Sequence, residues 1–499
     1  MAKKIMIQGT MSGAGKSLLV TALCRIFAQD GYRVAPFKSQ NMALNSYVTP
    51  DGLELGRAQA VQAEAAGIEC DVRMNPILLK PSSDTGSQLI VNGEVRGHYD
   101  AKDYFKMKRG LIPEIMRAYH SLAAENDVLV IEGAGSPAEI NLRDDDIVNM
   151  GLAELVNAPV LLVGDIDRGG VFAQLYGTVA LLRPEEWRRV EGTIINKFRG
   201  DIELLRPGLK QLEELTEVPV LGVVPYLKTD IDDEDSLAPR LDRVQAGRAL
   251  ELAVIRLPHI SNFTDFAPLD EHSSLGVHYV SRVDQLGRPD CILLPGTKNT
   301  MGDLRWLYDS GLADAIVDAA GRGTPVFGIC GGYQMLGRTL SDPFGTEQRG
   351  ELPGLGLLPV DTVFTGEKTR TRRNAVCTCD PFAGAALTGY EIHMGQTVTN
   401  GAPPFCRFAD GGADGAVCGS VFGTYLHGLF DSGELVEKLA LFFAARKGIE
   451  IPHIQLETRA AYRNRQYDLL ADAVREALDM KRIYEIMEEY ADEDAPRGN

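Results

Sequence analysis

Cys330 stands between an apolar run, Val326-Phe327-Gly328-Ile329, and a glycine pair, Gly331-Gly332, that opens Tyr333-Gln334-Met335. Few patterns restrict a fold as tightly. The run predicts a buried strand, the residues after the glycines predict a helix, and the cysteine must occupy the sharp turn between them. Such a turn places free backbone N–H groups and the helix dipole against the sulfur. Glycines directly after the cysteine serve close backbone approach and not packing. The segment is the cysteine form of a nucleophile elbow, and a buried core cysteine is the weaker reading.

A second strand–turn–helix unit lies at the N-terminus. Lys4 to Gln8 reads as a short apolar strand, Leu18 to Ala28 as an apolar helix, and Gly9-Thr10-Met11-Ser12-Gly13-Ala14-Gly15-Lys16-Ser17 joins them. That context is the one a phosphate-binding loop needs. Backbone N–H groups around Gly13 and Gly15 cradle phosphate, Lys16 reaches the outer phosphates and Ser17 holds magnesium. Gly9 comes one residue earlier than the strict spacing requires, while the Gly15-Lys16-Ser17 end is intact.

Further apolar strands follow and end in polar signatures. Asp127 to Ile131 leads into Glu132-Gly133-Ala134-Gly135, which makes Glu132 a candidate magnesium ligand facing Ser17. Pro159 to Asp165 and Gly192 to Asn196 end in Asp165-Ile166-Asp167-Arg168-Gly169-Gly170 and Asn196-Lys197-Phe198-Arg199-Gly200. Lys38, Arg57, Lys80, Arg143, Lys197 and Arg199 fall near strand ends and are candidates to ring an anionic substrate; each alone also reads as a solvated surface charge. Alternating strands and helices predict a doubly wound α/β domain over 1–228. Residues 229–249, acidic and aperiodic, read as a linker. A second α/β pattern over 250–440 contains the cysteine elbow, and 441–499 reads as a helical tail.

In that second domain Pro295-Gly296-Thr297-Lys298 follows a strand at Cys291 to Leu294. Its glycine turn offers a backbone N–H to an oxyanion, and the Gly331 N–H offers another. Gln334, one helical turn after Cys330, can contact the substrate of the thiol. His427 stands at a strand end in Tyr425-Leu426-His427-Gly428 and is the candidate general base, so the fold must bring it to Cys330.

Composition limits the partners. The chain has 499 residues and a formal net charge of −18, with 44% hydrophobic and 24% charged residues. That length suggests two or three domains, and the charge argues against nucleic acid or an anionic membrane as partner. No apolar run reaches ~18 residues. Met1-Ala2-Lys3-Lys4 leads straight into a strand and not into a secretory signal, and eight cysteines in so long a chain suit a reducing cytoplasm. Cys377 and Cys379 read as alternating positions of one strand.

Taken together these segments resemble the cobyric acid synthases, the glutamine-dependent amidotransferases of cobalamin biosynthesis. The stretches that carry the likeness include Gln40-Asn41-Met42, Gly56-Arg57-Ala58-Gln59, Glu132-Gly133-Ala134-Gly135-Ser136-Pro137, Asp165 to Gly170, Asn196 to Gly200, Leu294-Pro295-Gly296-Thr297-Lys298 and Gly389-Tyr390-Glu391-Ile392-His393. The first half is similar to the dethiobiotin-synthetase-type ATPase domain, and the second to a class I glutaminase. The resemblance implies Cys330 as glutaminase nucleophile and His427 as its base. It implies ATP and Mg2+ at Lys16, Ser17 and Glu132, with Glu54 as a further metal ligand. Asn196 would read the adenine, Lys38 would lie near the activated carboxylate, and a small corrinoid would be the acceptor. Class I glutaminases carry a glutamate two residues after the histidine, where this chain has Leu429. Glu391 and a backbone carbonyl both remain open as the group that orients His427. Other readings are the sibling enzyme that amidates the a and c side chains, a ligase for another polycarboxylate, and an ATP-driven switch with an inactive glutaminase module.

Overall fold

A computed structural model describes residues 2–81, 86–232, 241, 247–454 and 456–493, so most of the expected acidic linker lies outside the described residues. The chain forms two compact units. The first comprises Met1–Met42, Glu54–Ile231 and Arg463–Asn499, and the second comprises Ala43–Leu53 and Asp232–Tyr462. The segment 441–499, expected as one helical tail, is therefore divided between them.

The first unit is built on a six-stranded parallel sheet in the order Val220–Pro225, Val190–Phe198, Val160–Asp165, Lys3–Gly9, Val128–Glu132, Val34–Phe37. The central strands are apolar through their middle, and Ile5, Ile7, Val128, Val130, Leu161 and Val163 are fully buried. Runs of this kind need cover on both faces, which is why they pair in parallel with helical crossovers. Helix Lys16–Gln29 lies over one face and shares its core with the C-terminal helices. In helix Met480–Glu493 the buried residues Ile483, Ile486, Met487 and Tyr490 repeat at helical spacing and form the stripe that docks there.

Residues from Glu457 to Tyr490 read as helical in the sequence, and the structure divides them into two helices with a break after Ala477. At the break Leu478 bridges to Gly222, and the Asp479 amide donates to the Leu221 carbonyl at 2.7 Å. A Cβ on Gly222 would lie 2.2 Å from the Ala477 carbonyl oxygen, so the close approach needs a glycine there. Asp479 then caps the next helix by accepting from the Arg482 amide. A smaller sheet, Gln40–Met42, Ile77–Pro81, Gly86–Val91 and Glu94–Asp100, completes the unit.

The second unit repeats the logic with a different strand order. Leu275–Val280, Leu250–Ile255, Cys291–Leu294, Val326–Ile329 and Val421–Thr424 run parallel, and Ala416–Cys418 closes the edge antiparallel. A second sheet is organised around the long hairpin Asp361–Cys377 and Ala386–Val398. Cys377 and Cys379 lie at its end with their sulfurs 3.5 Å apart. The arm 43–53 packs on this hairpin, where Val48 joins Tyr390 and Ile392, and Tyr390 donates to the Ser46 carbonyl. Helix Gly433–Lys447 belongs to this unit and buries Leu435, Val436, Leu439, Ala440 and Phe443.

Candidate active sites

Ligands of open parallel sheets bind beyond the carboxyl ends of the strands, and in the second unit four such ends lie side by side. After Leu250–Ile255 comes the loop that carries Asp265, after Cys291–Leu294 comes Gly296, after Val326–Ile329 comes Cys330, and after Val421–Thr424 comes His427. Residues separated widely in sequence meet because their strands are neighbours.

Cys330 has φ 51° and ψ −108°, a conformation that non-glycine residues adopt only under constraint. Its amide donates to the Thr424 carbonyl at 2.9 Å, which ties the elbow to the strand leading to His427. The flanking glycines are where the helix closely approaches its own strand and the neighbouring one. A Cβ on Gly332 would lie 2.1 Å from the Leu294 carbonyl oxygen, and one on Gly328 would lie 2.7 Å from the Gly332 carbonyl oxygen. The thiol reaches the Ile392 carbonyl at 3.6 Å and is almost wholly buried.

His427 is held on every side. Its backbone exchanges hydrogen bonds with Tyr390, and its ring stacks on the Tyr390 ring at 5.4 Å between centroids. Its Nδ1 lies 2.6 Å from Oδ2 of Asp265, while Oδ1 of the same carboxylate accepts from the Gly428 amide at 3.0 Å. Burial opposes charge on the imidazole, but the Asp265 carboxylate and the adjoining Cys330 sulfur outweigh it and lift the His427 pKa to about 10. Carboxylate and sulfur thus both act on the one imidazole.

Asp265 thus answers the question left by Leu429. Glu391 is engaged elsewhere: it accepts from Arg373 Nε at 2.6 Å and faces His393. Asp265 sits on the single turn Phe263–Phe266, entered through Asn262 in the left-handed conformation that asparagine tolerates. No local spacing in the sequence marks Asp265, because its partner is set by which strands adjoin.

Gly296 adjoins the imidazole, because a Cβ there would lie 3.0 Å from His427 Cε1. Gly331 adjoins the next residue of that loop: its Cβ would stand 3.1 Å from the Thr297 nitrogen. The amide next to Gly331 is therefore that of Thr297, a residue that sequence reasoning passed over. Gln334 is buried, accepts from Thr300 at 3.2 Å and donates to the Tyr425 hydroxyl at 3.1 Å.

In the first unit Gly13 and Gly15 have φ of 74° and 99°. A Cβ on Gly15 would lie 2.0 Å from Asn196 Nδ2, and that nitrogen donates to the Ala14 carbonyl at 2.9 Å. Asn196 is placed on the loop itself, and Lys197 joins it by donating to Gly13 and Asp165. Lys16 donates to the Met11 and Gly135 carbonyls, each at 3.1 Å. Glu132 gathers the rest. Its Oε1 accepts from Ser17 at 2.9 Å and Lys38 at 2.8 Å, and its Oε2 accepts from Gln62 at 2.6 Å. Hydroxyl and carboxylate oxygens side by side are the hard donors magnesium takes, and nucleotide phosphates would have to complete the shell. Among the described residues no group of three or more histidine, cysteine, aspartate or glutamate side chains forms a metal cluster.

Three of the other cations named from the sequence have acidic partners in the fold. Lys80 pairs with Glu54 at 2.9 Å, and Arg143 lies 3.8 Å from Glu186. Arg199 pairs with Asp167 at 2.8 Å and lies over the Tyr226 ring. Arg57 is buried as the first residue of helix Arg57–Ala65. No helix among the described residues is long and apolar enough to cross a membrane.

Comparison with known proteins finds a family match for most of each unit. Residues 251–435 match the family described as the CobB/CobQ-like glutamine amidotransferase domain, and residues 5–238 match the CobQ/CobB/MinD/ParA nucleotide binding domain. Among similar curated proteins is the cobyric acid synthase of Ruminiclostridium cellulolyticum, 55% identical over 98% of this chain and 98% of that one. That of Lachnoclostridium phytofermentans is 54% identical over 98% of this chain and all of its own, and that of Yersinia enterocolitica 53% identical over 98% and 99%.

Proposed function

This chain belongs to the cobyric acid synthase family, and on that premise we propose that it amidates the b, d, e and g carboxylates of adenosylcobyrinic acid a,c-diamide, with glutamine as nitrogen donor and ATP as activator. The observation that supports this best is the grouping Cys330–His427–Asp265 at adjoining strand ends of a unit matched to glutamine amidotransferases.

The chemistry follows from the residues. A carboxylate is a poor acyl donor because its leaving group would be oxide. In the first unit the Gly13–Gly15 loop and Lys16 bind the ATP phosphates, and the γ-phosphoryl group passes to a substrate carboxylate. When bound at Ser17 and Glu132, magnesium supplies charge that offsets the phosphate oxygens. Lys38, which contacts Glu132, holds the incoming carboxylate. In the second unit the Cys330 proton moves to His427 and the sulfur attacks the glutamine amide. The amides of Gly331 and Thr297 receive the oxyanion. His427, charged and fixed by Asp265, returns its proton to the departing ammonia. It then takes a proton from the water that opens the thioester and frees glutamate. Ammonia displaces phosphate from the acyl phosphate to leave an amide.

The deciding experiment is mass spectrometry of the corrinoid after incubation with ATP, magnesium and glutamine. Four successive amide products are expected from the a,c-diamide. Amidation only of cobyrinic acid at a and c would overturn the substrate assignment in favour of the sibling reaction. Cys330→Ala should lose glutamine-dependent product and keep product formation from ammonium, and loss of both would remove the thiol from the glutaminase role.

A further inference from the structure

The loop that bears the oxyanion amide is short, rich in polar atoms and held by a single buried acid. Asp303, in the first turn of helix Thr300–Asp309, is 1% exposed. Its Oδ2 accepts from the Thr297 hydroxyl at 2.5 Å and from the His259 amide at 3.2 Å, and its Oδ1 lies 2.7 Å from His259 Nδ1. The Thr297 hydroxyl also lies 3.0 Å from the His259 carbonyl, which accepts in addition from the Lys298 amide at 3.0 Å. Two residues on, the Ser261 amide donates to the Gly296 carbonyl at 2.9 Å. The turn Gly296–Lys298 is thus clasped to the loop 259–261, and the clasp closes on one carboxylate. These bonds use Thr297's side chain and leave its amide nitrogen beside Gly331.

We propose that Asp303 is a positioning residue for the glutaminase step, holding the Thr297 amide in line with the Gly331 amide through its bonds to the Thr297 hydroxyl and to His259. The inference rests on the glutaminase reading of Cys330. Physically it needs one thing: a buried carboxylate that accepts from several donors is costly to distort, because moving any donor leaves part of a buried charge unsatisfied. The oxyanion amide inherits that rigidity. Preorganised donors lower a barrier only when they need not move as charge develops. The pair His259–Asp303 therefore serves the loop as His427–Asp265 serves the thiol, but it touches no reacting atom.

The test uses the full chain with Asp303→Asn, and Thr297→Val as a milder second variant that removes only the hydroxyl. Steady-state glutamine hydrolysis is measured beside the rate at which iodoacetamide alkylates Cys330, followed by mass spectrometry of the Cys330 peptide. Alkylation is a displacement at carbon without an oxyanion, so it reports the thiol and His427 alone. Asp303→Asn should lower kcat about 10²-fold with little change in KM, in the range found for loss of one oxyanion donor, while the alkylation rate and ammonium-dependent amidation stay at the parent level. Thr297→Val should lower kcat about tenfold in the same pattern. An unchanged kcat in both variants would overturn the proposal, as would an alkylation rate that falls in step with kcat, since that would mean general damage to the site. Glutamine hydrolysis that survives Cys330→Ala would overturn the parent reading and this one together.

Discussion

Oδ2 of Asp265 lies 2.6 Å from Nδ1 of His427, and Oδ1 takes the Gly428 amide. The bond at Oδ1 fixes the carboxylate to the backbone, and the one at Oδ2 fixes the rotation of the ring and holds a proton on Nδ1, leaving Nε2 for the sulfur. This supplies the orienting acid from a loop far upstream, where other class I glutaminases draw it from just beyond the histidine.

Asp265→Asn keeps the shape but offers an amide that can present the wrong group to Nδ1. Glutamine-dependent turnover should fall on the order of 10²–10⁴-fold, the usual span of general acid–base catalysis. Ammonium-dependent amidation should remain. Parallel assays with the two nitrogen sources check this, and equal losses in both would mean that Asp265 acts on folding instead.

In the first unit Glu132 is the junction of Ser17, Lys38 and Gln62. Glu132→Gln retains the volume and removes the charge that pairs with the buried Lys38 ammonium. The variant should bind MgATP at least about tenfold more weakly by calorimetry, the loss expected when one hard ligand of a magnesium site becomes neutral, and it should fail to amidate from glutamine or ammonium. Glutamine hydrolysis should persist. Chelation of magnesium from the parent protein should give the same split.

Gly15→Ala offers a purely steric test. The backbone there has φ 99°, and the added methyl would lie 2.0 Å from Asn196 Nδ2. Both the strain and the clash fall on the phosphate loop, so ATP-dependent amidation should be lost while circular dichroism of the chain stays close to that of the parent. Retained activity at parent MgATP affinity would exclude the loop from phosphate binding.

What the sequence revealed and what it hid divide along physical lines. Cys330, Lys16 and Ser17 announce themselves because glycines must surround a tight turn, and φ above zero leaves a mark on composition. Their unit folds were legible for a related reason: strands buried on both faces are continuous apolar runs, as at Ile5–Ile7 and Val128–Ile131. Asp265, Thr297 and Asp303 stayed hidden because their roles depend on which loops adjoin across parallel strands, and no local spacing encodes that. The break at Leu478 was hidden likewise, since a bridge to Gly222 and not any helix breaker stops the helix. Cations such as Lys80 and Arg199 looked available from sequence alone, while the fold gives them Glu54 and Asp167.

The buried imidazole also makes stability depend on pH in a definite direction. Burial lowers the pKa of His427, but attraction to Asp265, followed by the Cys330 sulfur, carries it to about 10 in the folded chain. An unfolded histidine titrates near about 6.5. The folded state therefore binds the proton more tightly. Its contribution is fully present below about pH 6.5, shrinks as the unfolded chain loses its proton first, and is lost as pH rises through about 10. Urea denaturation of the second unit, followed through signals from its aromatic core, should show stability declining between those limits. His427→Gln should be less stable at the acid end, because Asp265 loses its charged partner, and its decline over the same interval should be flatter. The comparison of slopes isolates this one group from every other that titrates in the window. Matching slopes in the two proteins would mean that the imidazole is neutral in the folded state, and with it would go the picture of a charged histidine ready to protonate departing ammonia.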